Sequence, residues 1–187
     1  MSANAPLIVL DRDGVINHDD DEYIKSVDEW QPLPGSLDAI ARLSRAGYRV
    51  VVVTNQSGVG RGLFDLATLE RIHARLRDAV TAAGGRIDGI YYCPHAPTAH
   101  CGCRKPKLGL LRDIEADLGL RSWQGVPLVG DKPSDLEMAR AIGARGILVR
   151  TGKGERSLAE LSGTTQLEVY RDLAAAADAL LREAGRA

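Results

Sequence analysis

The sequence predicts an α/β protein built on an open, parallel, Rossmann-like sheet with helices on both faces. Three observations carry that prediction. Unbroken apolar runs such as Leu7-Ile8-Val9-Leu10 and Val50-Val51-Val52-Val53 read as short strands buried on both faces. Longer stretches with apolar residues at helical spacing stand between them. The two kinds of segment alternate along the chain, which describes βαβ units rather than a sandwich or a bundle.

In chain order, the first strand ends in Asp11-Arg12-Asp13-Gly14, where Gly14 permits a sharp turn. Residues 18–34 are polar, acidic and then interrupted by Pro32 and Pro34, so they read as a loop or short flap. Ser36 is a candidate cap for a helix carrying Leu37, Ile40, Ala41 and Leu43 on one side and ending at Gly47. The second strand, residues 50–53, runs into Thr54-Asn55-Gln56-Ser57-Gly58. Asp65 is a candidate cap for a helix reaching about residue 82, closed by Gly84-Gly85. Residues 87–92 read as a third strand, followed by a Cys-rich loop and a helix over 108–118 that stops at Gly119. The fourth strand, 126–129, leads into Gly130-Asp131, and Ser134 is a candidate cap for a helix over 136–142. Residues 146–149 and 167–170 read as the last two strands, and 172–183 as an Ala-rich final helix. The tail, Arg186-Ala187, is expected to fray.

A chain of 187 residues, 44% hydrophobic, suits one domain, so residues 1–187 are read as a single unit with a loop inserted at 93–103. A net charge of -1 gives no reason to expect nucleic acid or an anionic membrane as partner, and 4% aromatic residues disfavour base stacking. No apolar run approaches membrane-spanning length. The first residues, Met-Ser-Ala-Asn-Ala-Pro, lack a basic segment and an apolar signal region, so a cytoplasmic monomer is expected.

In open sheets of this class ligands bind just beyond the carboxyl ends of the strands. There the sequence places Asp11 and Asp13, then Thr54, then Arg104-Lys105 at a helix approach, then Asp131 with Asp135. Each alone has an ordinary explanation: an Asp-Gly turn, a strand-end Thr, a solvated Lys, a helix-start Asp. Together they suit one task. Oxygen ligands from Asp11, Asp13 and Asp131 form a hard site for Mg²⁺, with Asp135 behind them. Lys105, a compact charge, and the Thr54 hydroxyl can hold a phosphate against that ion. Asp11 is then the nucleophile of an aspartyl-phosphate mechanism, and Asp13 its general acid and base.

All 3 Cys lie within residues 93–103, an odd count that argues against a disulfide framework. Cys93, Cys101, Cys103 and His95 offer three thiolates and an imidazole, a closed tetrahedral set for structural Zn²⁺. His100 competes for the fourth place. His95 is preferred because it pairs with Cys93 as Cys101 pairs with Cys103.

The stretches Asp11-Arg12-Asp13-Gly14, Thr54-Asn55-Gln56, Arg104-Lys105-Pro106 and Gly130-Asp131-Lys132 with Asp135 resemble, in order and spacing, the four motifs of the haloacid dehalogenase (HAD) superfamily in its phosphatase branch. The resemblance covers residues 7–150. It implies a HAD-like fold and the Mg²⁺-dependent roles just given. The run from Thr54 to Gly62 and the Cys/His loop narrow it to the phosphatases of small sugar bisphosphates. That branch implies a zinc loop and a place in the biosynthesis of lipopolysaccharide core. It also implies substrate contacts from Arg12, Asn55, Gln56, Ser57, Arg104 and Lys132, and a loop carrying Asp19, Asp20 and Tyr23 that closes over the sugar. The connections after the first and third strands are too short for a large cap domain, so a shallow site walled by that loop and the zinc loop is expected.

Histidinol-phosphate phosphatases share the paired Asp and the zinc loop and are the alternative within the class. From another class, a receiver domain also combines acidic residues, Thr and Lys. It places its phosphoacceptor on the third strand, however, and has no counterpart to the Cys/His loop. A non-catalytic zinc-stabilised binding protein would not need the full set of Asp11, Asp13, Lys105 and Asp131.

Overall fold

The computed structural model describes residues 5–161 and 167–185. The tail at 186–187 and the first four residues lie outside them. Six strands form one sheet: β1 (Leu7–Leu10), β2 (Arg49–Asn55), β3 (Gly89–Cys93), β4 (Pro127–Gly130), β5 (Arg145–Val149) and β6 (Glu168–Tyr170). Their order is β3-β2-β1-β4-β5-β6, with every neighbouring pair parallel. The connecting helices are α1 (Ser36–Arg45), α2 (Ser57–Gly60), α3 (Leu66–Ala82), α4 (Gly109–Leu118), α5 (Pro133–Ile142) and α6 (Gly154–Glu160); α7 (Leu173–Glu183) follows the last strand.

The apolar runs are explained by the two-residue period of a strand. Ile8, Leu10, Val50 and Val52 point to one face and pack with α1, α3 and α7 through Ile40, Leu43, Ile72, Leu76, Ala177 and Leu180. Leu7, Val9, Val51 and Val53 point to the other and pack with α4 and α5 through Leu111, Ile114 and Met138. Both faces are covered, so neither could be polar.

The strand order reverses between β1 and β4, and a crevice opens at such a switch point. Leu10 pairs with Val129 on one side and Val52 on the other. The residues that follow these three, Asp11, Gly130-Asp131 and Val53-Thr54, therefore meet at one edge. No cap domain stands over that edge among the described residues; the connection from β1 to α1 folds back on itself through single bridges from Asn17 to Asp13 and Pro32.

Asp65 and Asp172 cap α3 and α7, accepting from the backbone N–H of Thr68 (2.7 Å) and Ala175 (2.8 Å). Of the expected caps Asp65 stands, while Ser36 and Ser134 are corrected. Ser36 lies inside the first turn of α1, and Gly35 precedes it with φ 77°. Its hydroxyl donates to the Ile16 and Leu33 carbonyls at 2.6 and 2.8 Å, which ties the flap to the helix. Ser134 does not cap α5. The Asp135 carboxylate reaches back to accept from the Lys132 N–H at 3.1 Å. The helix begins at Pro133 with Lys132 at its cap, so Ser134 already lies inside the first turn. Helices α2 and α6 were not foreseen, because one or two turns leave no periodic signature. Among the described residues no helix is long and apolar enough to cross a membrane.

Candidate active site

The Asp11 N–H donates to the Val129 carbonyl at 2.9 Å, which continues the β1–β4 ladder by one residue and fixes where the Asp11 side chain begins. Carboxylate oxygens of Asp11, Asp131 and Asp135 lie within 4.8 Å of one another, and all three residues are buried. The Lys105 ammonium sits among them, 2.8 Å from Asp11 Oδ1 and 2.7 Å from Asp135 Oδ1, and donates to the Val53 carbonyl at 3.0 Å. The Lys105 N–H donates to Asn55 Oδ1 at 3.0 Å, so β2 positions the lysine.

Buried carboxylates this close repel unless a cation joins them. Burial pushes Asp11 up to about 6, against the pull of Lys105. Burial likewise pushes Asp131 up to about 7, with Asp11 adding to it. Lys105 is raised: burial opposes its charge, but Asp11 and Asp135 more than offset that. The donor set is all oxygen, as a hard divalent cation requires. Asp131 supplies the test of fit. Its Oδ2 accepts from the Lys153 N–H at 2.8 Å, while its buried Oδ1 has no hydrogen-bond donor. One oxygen is anchored, and the other has only the Lys132 ammonium at 3.8 Å, too far for a hydrogen bond, which leaves room for a cation. Gly14 and Gly152 allow this approach: a Cβ on either would stand 2.1 or 2.4 Å from Asp131 Oδ2.

The Asp13 carboxylate is outside that cluster of three, and Asp135 takes its place in it. Asp13 Oδ1 accepts from Arg12 Nε and Asn17 Nδ2, both at 2.9 Å. Its Oδ2 accepts from Arg12 Nη2 at 3.0 Å and Gln56 Nε2 at 2.8 Å. Burial alone would raise Asp13, but Arg12, Asn17 and Gln56 hold it below the usual carboxylate range.

Arg12 is corrected from a substrate contact to an interior residue. Its side chain is fully buried, bonded to Asp13, Gln56 and His73, and does not line the cleft. The chain bends after β1 ends at Leu10, and the guanidinium turns inward to pair with the carboxylate of its neighbour Asp13. Thr54 is also buried. Its hydroxyl oxygen accepts from Gln56 Nε2 at 2.9 Å, so it stands behind Gln56 rather than on the open surface.

Above this floor is a cleft of about 350 Å³. Of the expected substrate residues, Asp19, Asp20, Tyr23, Asn55, Gln56, Ser57, Arg104 and Lys132 line it. Asp21, Ser134 and Lys153 line it as well and were not expected there. Lys153 carries no local signal; only the fold brings the β5–α6 connection beside Asp131. Lys132 contacts Asp19 at 3.2 Å, and Lys153 contacts Asp21 at 2.5 Å, so two lysines hold the acidic loop against the cleft. Lys132 is raised: burial opposes its charge, and Asp11, Asp131 and Asp19 outweigh it. The Cys/His loop does not form a wall. Only Arg104 and Lys105, which follow it, reach the cleft.

That loop gathers Cys93, His95, Cys101 and Cys103, whose ligand atoms lie within 4.8 Å of one another. The Cys93–Cys103 sulfurs are 3.1 Å apart, and His95 Nδ1 is 3.2 Å from Cys103 Sγ. Three sulfurs and one nitrogen at such spacing match a tetrahedral zinc site in chemistry and size. His100 is outside the group. The Gly60 N–H donates to the Pro94 carbonyl at 2.8 Å, and a Cβ on Gly60 would meet Ala96 N at 2.4 Å, so this loop packs tightly on α2.

A family model described as polynucleotide kinase 3 phosphatase matches residues 7–131, and one described as HAD-hydrolase-like matches residues 102–176. The D-glycero-beta-D-manno-heptose-1,7-bisphosphate 7-phosphatase of Pseudomonas putida is 55% identical over 94% of this chain and 99% of its own. The enzyme of that name from Escherichia coli is 37% identical, covering 92% of this chain and 94% of its own. Among solved structures, the D,D-heptose 1.7-bisphosphate phosphatase of B. bronchiseptica, complexed with magnesium and phosphate, superposes with a TM-score of 0.91 at 49% identity. It covers 95% of this chain and 99% of that one.

Proposed function

The chain belongs to the D-glycero-β-D-manno-heptose-1,7-bisphosphate 7-phosphatases of the HAD superfamily, and from that membership and the site we propose how its residues act. The substrate is a heptose 1,7-bisphosphate and the bond broken joins phosphorus to the oxygen on carbon 7. The observation that carries this reading is the meeting of Asp11, Lys105, Asp131 and Asp135 beneath a cleft lined by Arg104, Lys132 and Lys153. Lys105 holds the reacting phosphoryl group, and Arg104, with Lys132 beside it, engages the sugar and its second phosphate.

Asp11 attacks phosphorus, the bond to the sugar oxygen breaks, and an aspartyl phosphate forms. Asp13 gives a proton to the departing oxygen, then takes one from the water that hydrolyses the intermediate. Mg²⁺ bound by Asp11, Asp131 and Asp135 would offset the charge on the transferred group. Zn²⁺ in the Cys93, His95, Cys101 and Cys103 site would be structural, since four protein ligands leave no open position. The protein is read as a single-domain cytoplasmic monomer whose hydrolysis of the 7-phosphate is one step in making the nucleotide-activated heptose of lipopolysaccharide core.

Phosphate release over a panel tests the reading: both anomers of heptose 1,7-bisphosphate, histidinol phosphate and a 3′-phosphorylated oligonucleotide, each with and without Mg²⁺. Mg²⁺-dependent release from heptose bisphosphate alone, absent in Asp11→Asn, is expected. Faster release from histidinol phosphate or the oligonucleotide would overturn the substrate, and turnover by Asp11→Asn would overturn the mechanism.

A further inference from the structure

Arg12 stands between the two functional aspartates, yet its guanidinium is sealed in the interior. Its Nε and Nη2 grip the two oxygens of Asp13 in a fork, at 2.9 and 3.0 Å. The same Nη2 donates to Gln56 Oε1 at 3.1 Å, and Gln56 in turn donates to Asp13 and Thr54. Nη1 lies 3.3 Å from His73 Nε2. His73 is on the buried face of α3, with its ring 5.3 Å from that of Tyr92. Burial, then Arg12, pushes His73 down to about 3, so it is a neutral acceptor for the guanidinium. Asn17, also fully buried, donates to Asp13 Oδ1, while Asp13 itself keeps an edge on the cleft.

We propose that Arg12, backed by His73, is a positioning residue that holds Asp13 as an aimed carboxylate, ready to take the proton of the water that hydrolyses the aspartyl phosphate. The inference rests on the phosphatase reading above. A buried fork that no substrate can reach has no recognition task. It fixes the carboxylate plane, as a rigid planar guanidinium does and a flexible ammonium does not. Four donors on two oxygens, from Arg12 twice and from Asn17 and Gln56, leave the carboxylate a single orientation. In that step the water oxygen bonds to phosphorus, the bond from phosphorus to the Asp11 oxygen breaks, and the water proton passes to Asp13.

An aryl phosphate separates the two half-reactions, because a nitrophenolate leaves without needing a proton. With 4-nitrophenyl phosphate and Mg²⁺, Arg12→Met is expected to release about one nitrophenolate per enzyme at close to the normal rate. It then slows about a hundredfold in the steady state as phosphorylated protein accumulates, a loss of the size general-base catalysis supplies. KM should change little. Arg12→Lys, which keeps the charge but loses the fork, should show the same burst with a fall of about tenfold. It carries the test with the same outcomes if Arg12→Met does not fold. A normal steady-state rate in the Arg12 variants, with Asp13→Asn disabled, overturns the inference and leaves the phosphatase reading intact. Loss of the burst together with the steady rate also overturns it, because that marks general damage to the site. A fully active Asp13→Asn overturns the role of Asp13, and the inference with it.

Discussion

Lys105 Nζ lies 2.8 Å from Asp11 Oδ1, both groups almost wholly buried, and joins two residues brought together only by the sheet. The same ammonium is 2.7 Å from Asp135 Oδ1. Removing it leaves two interior carboxylates without a fixed cation. Lys105→Ala is expected to reduce phosphate release by about a hundredfold or more, and to destabilise the cation-free protein by about 3 kcal/mol. Denaturant titration and a phosphate-release assay check this; a normal rate would remove Lys105 from the reaction.

Gly152 is the position where one methyl group should do most harm. Its φ is 58°, and an added Cβ would stand 2.4 Å from Asp131 Oδ2 and 2.5 Å from Gly14 Cα. Gly152→Ala must push Asp131 from its place or break the Lys153 N–H bond that anchors it. A loss in Mg²⁺ affinity of about tenfold to a hundredfold is expected, with about 1–3 kcal/mol of stability. Calorimetric Mg²⁺ titration of the folded variant measures the first quantity, and an unchanged affinity would contradict the assigned role of Oδ2.

Stability of the cation-free protein should depend on pH in a definite direction. Asp11 is raised to about 6 and Asp131 to about 7, whereas an unfolded Asp titrates near its ordinary value. The folded form therefore holds more protons through this window, so its stability falls as pH rises from about 4 through 7. Bound Mg²⁺ favours the ionised forms and opposes that loss. The thermal midpoint gained from saturating Mg²⁺, roughly 5–10 °C at a hundredfold excess over Kd, should be full at pH 8 and shrink markedly by pH 5. A gain that is flat across that range would mean the ion binds elsewhere.

Zinc removal should act at a distance from the cleft. Chelation, or Cys101→Ala, frees the segment that precedes Arg104 and Lys105 and packs on α2 through Gly60. Faster amide exchange over residues 93–107 and a fall in activity of about tenfold are expected, while Mg²⁺ binding at Asp131 persists. Full activity in a zinc-free Cys101→Ala protein would contradict this.

Much of the architecture was readable before any coordinates. The apolar runs beginning at Leu7 and Val50 become strands because a two-sided burial demands uninterrupted hydrophobicity, and that demand is local. Asp65, Asp172 and Gly119 mark helix ends through bonds or backbone angles that span only a few residues. The strand-end positions of Asp11, Asp13, Lys105 and Asp131 followed from the same local pattern together with the behaviour of open sheets.

The sequence alone thus determined which residues would stand at one sheet edge. Tertiary structure alone decided which atoms they would present there. Arg12 turned inward to clamp Asp13, Asp135 joined Asp11 and Asp131, and Lys153 arrived from a connection with no motif of its own. The reason is range. Secondary structure follows from periodicities a few residues long, whereas the direction of a buried side chain is set by packing and charge across contacts far apart in the chain.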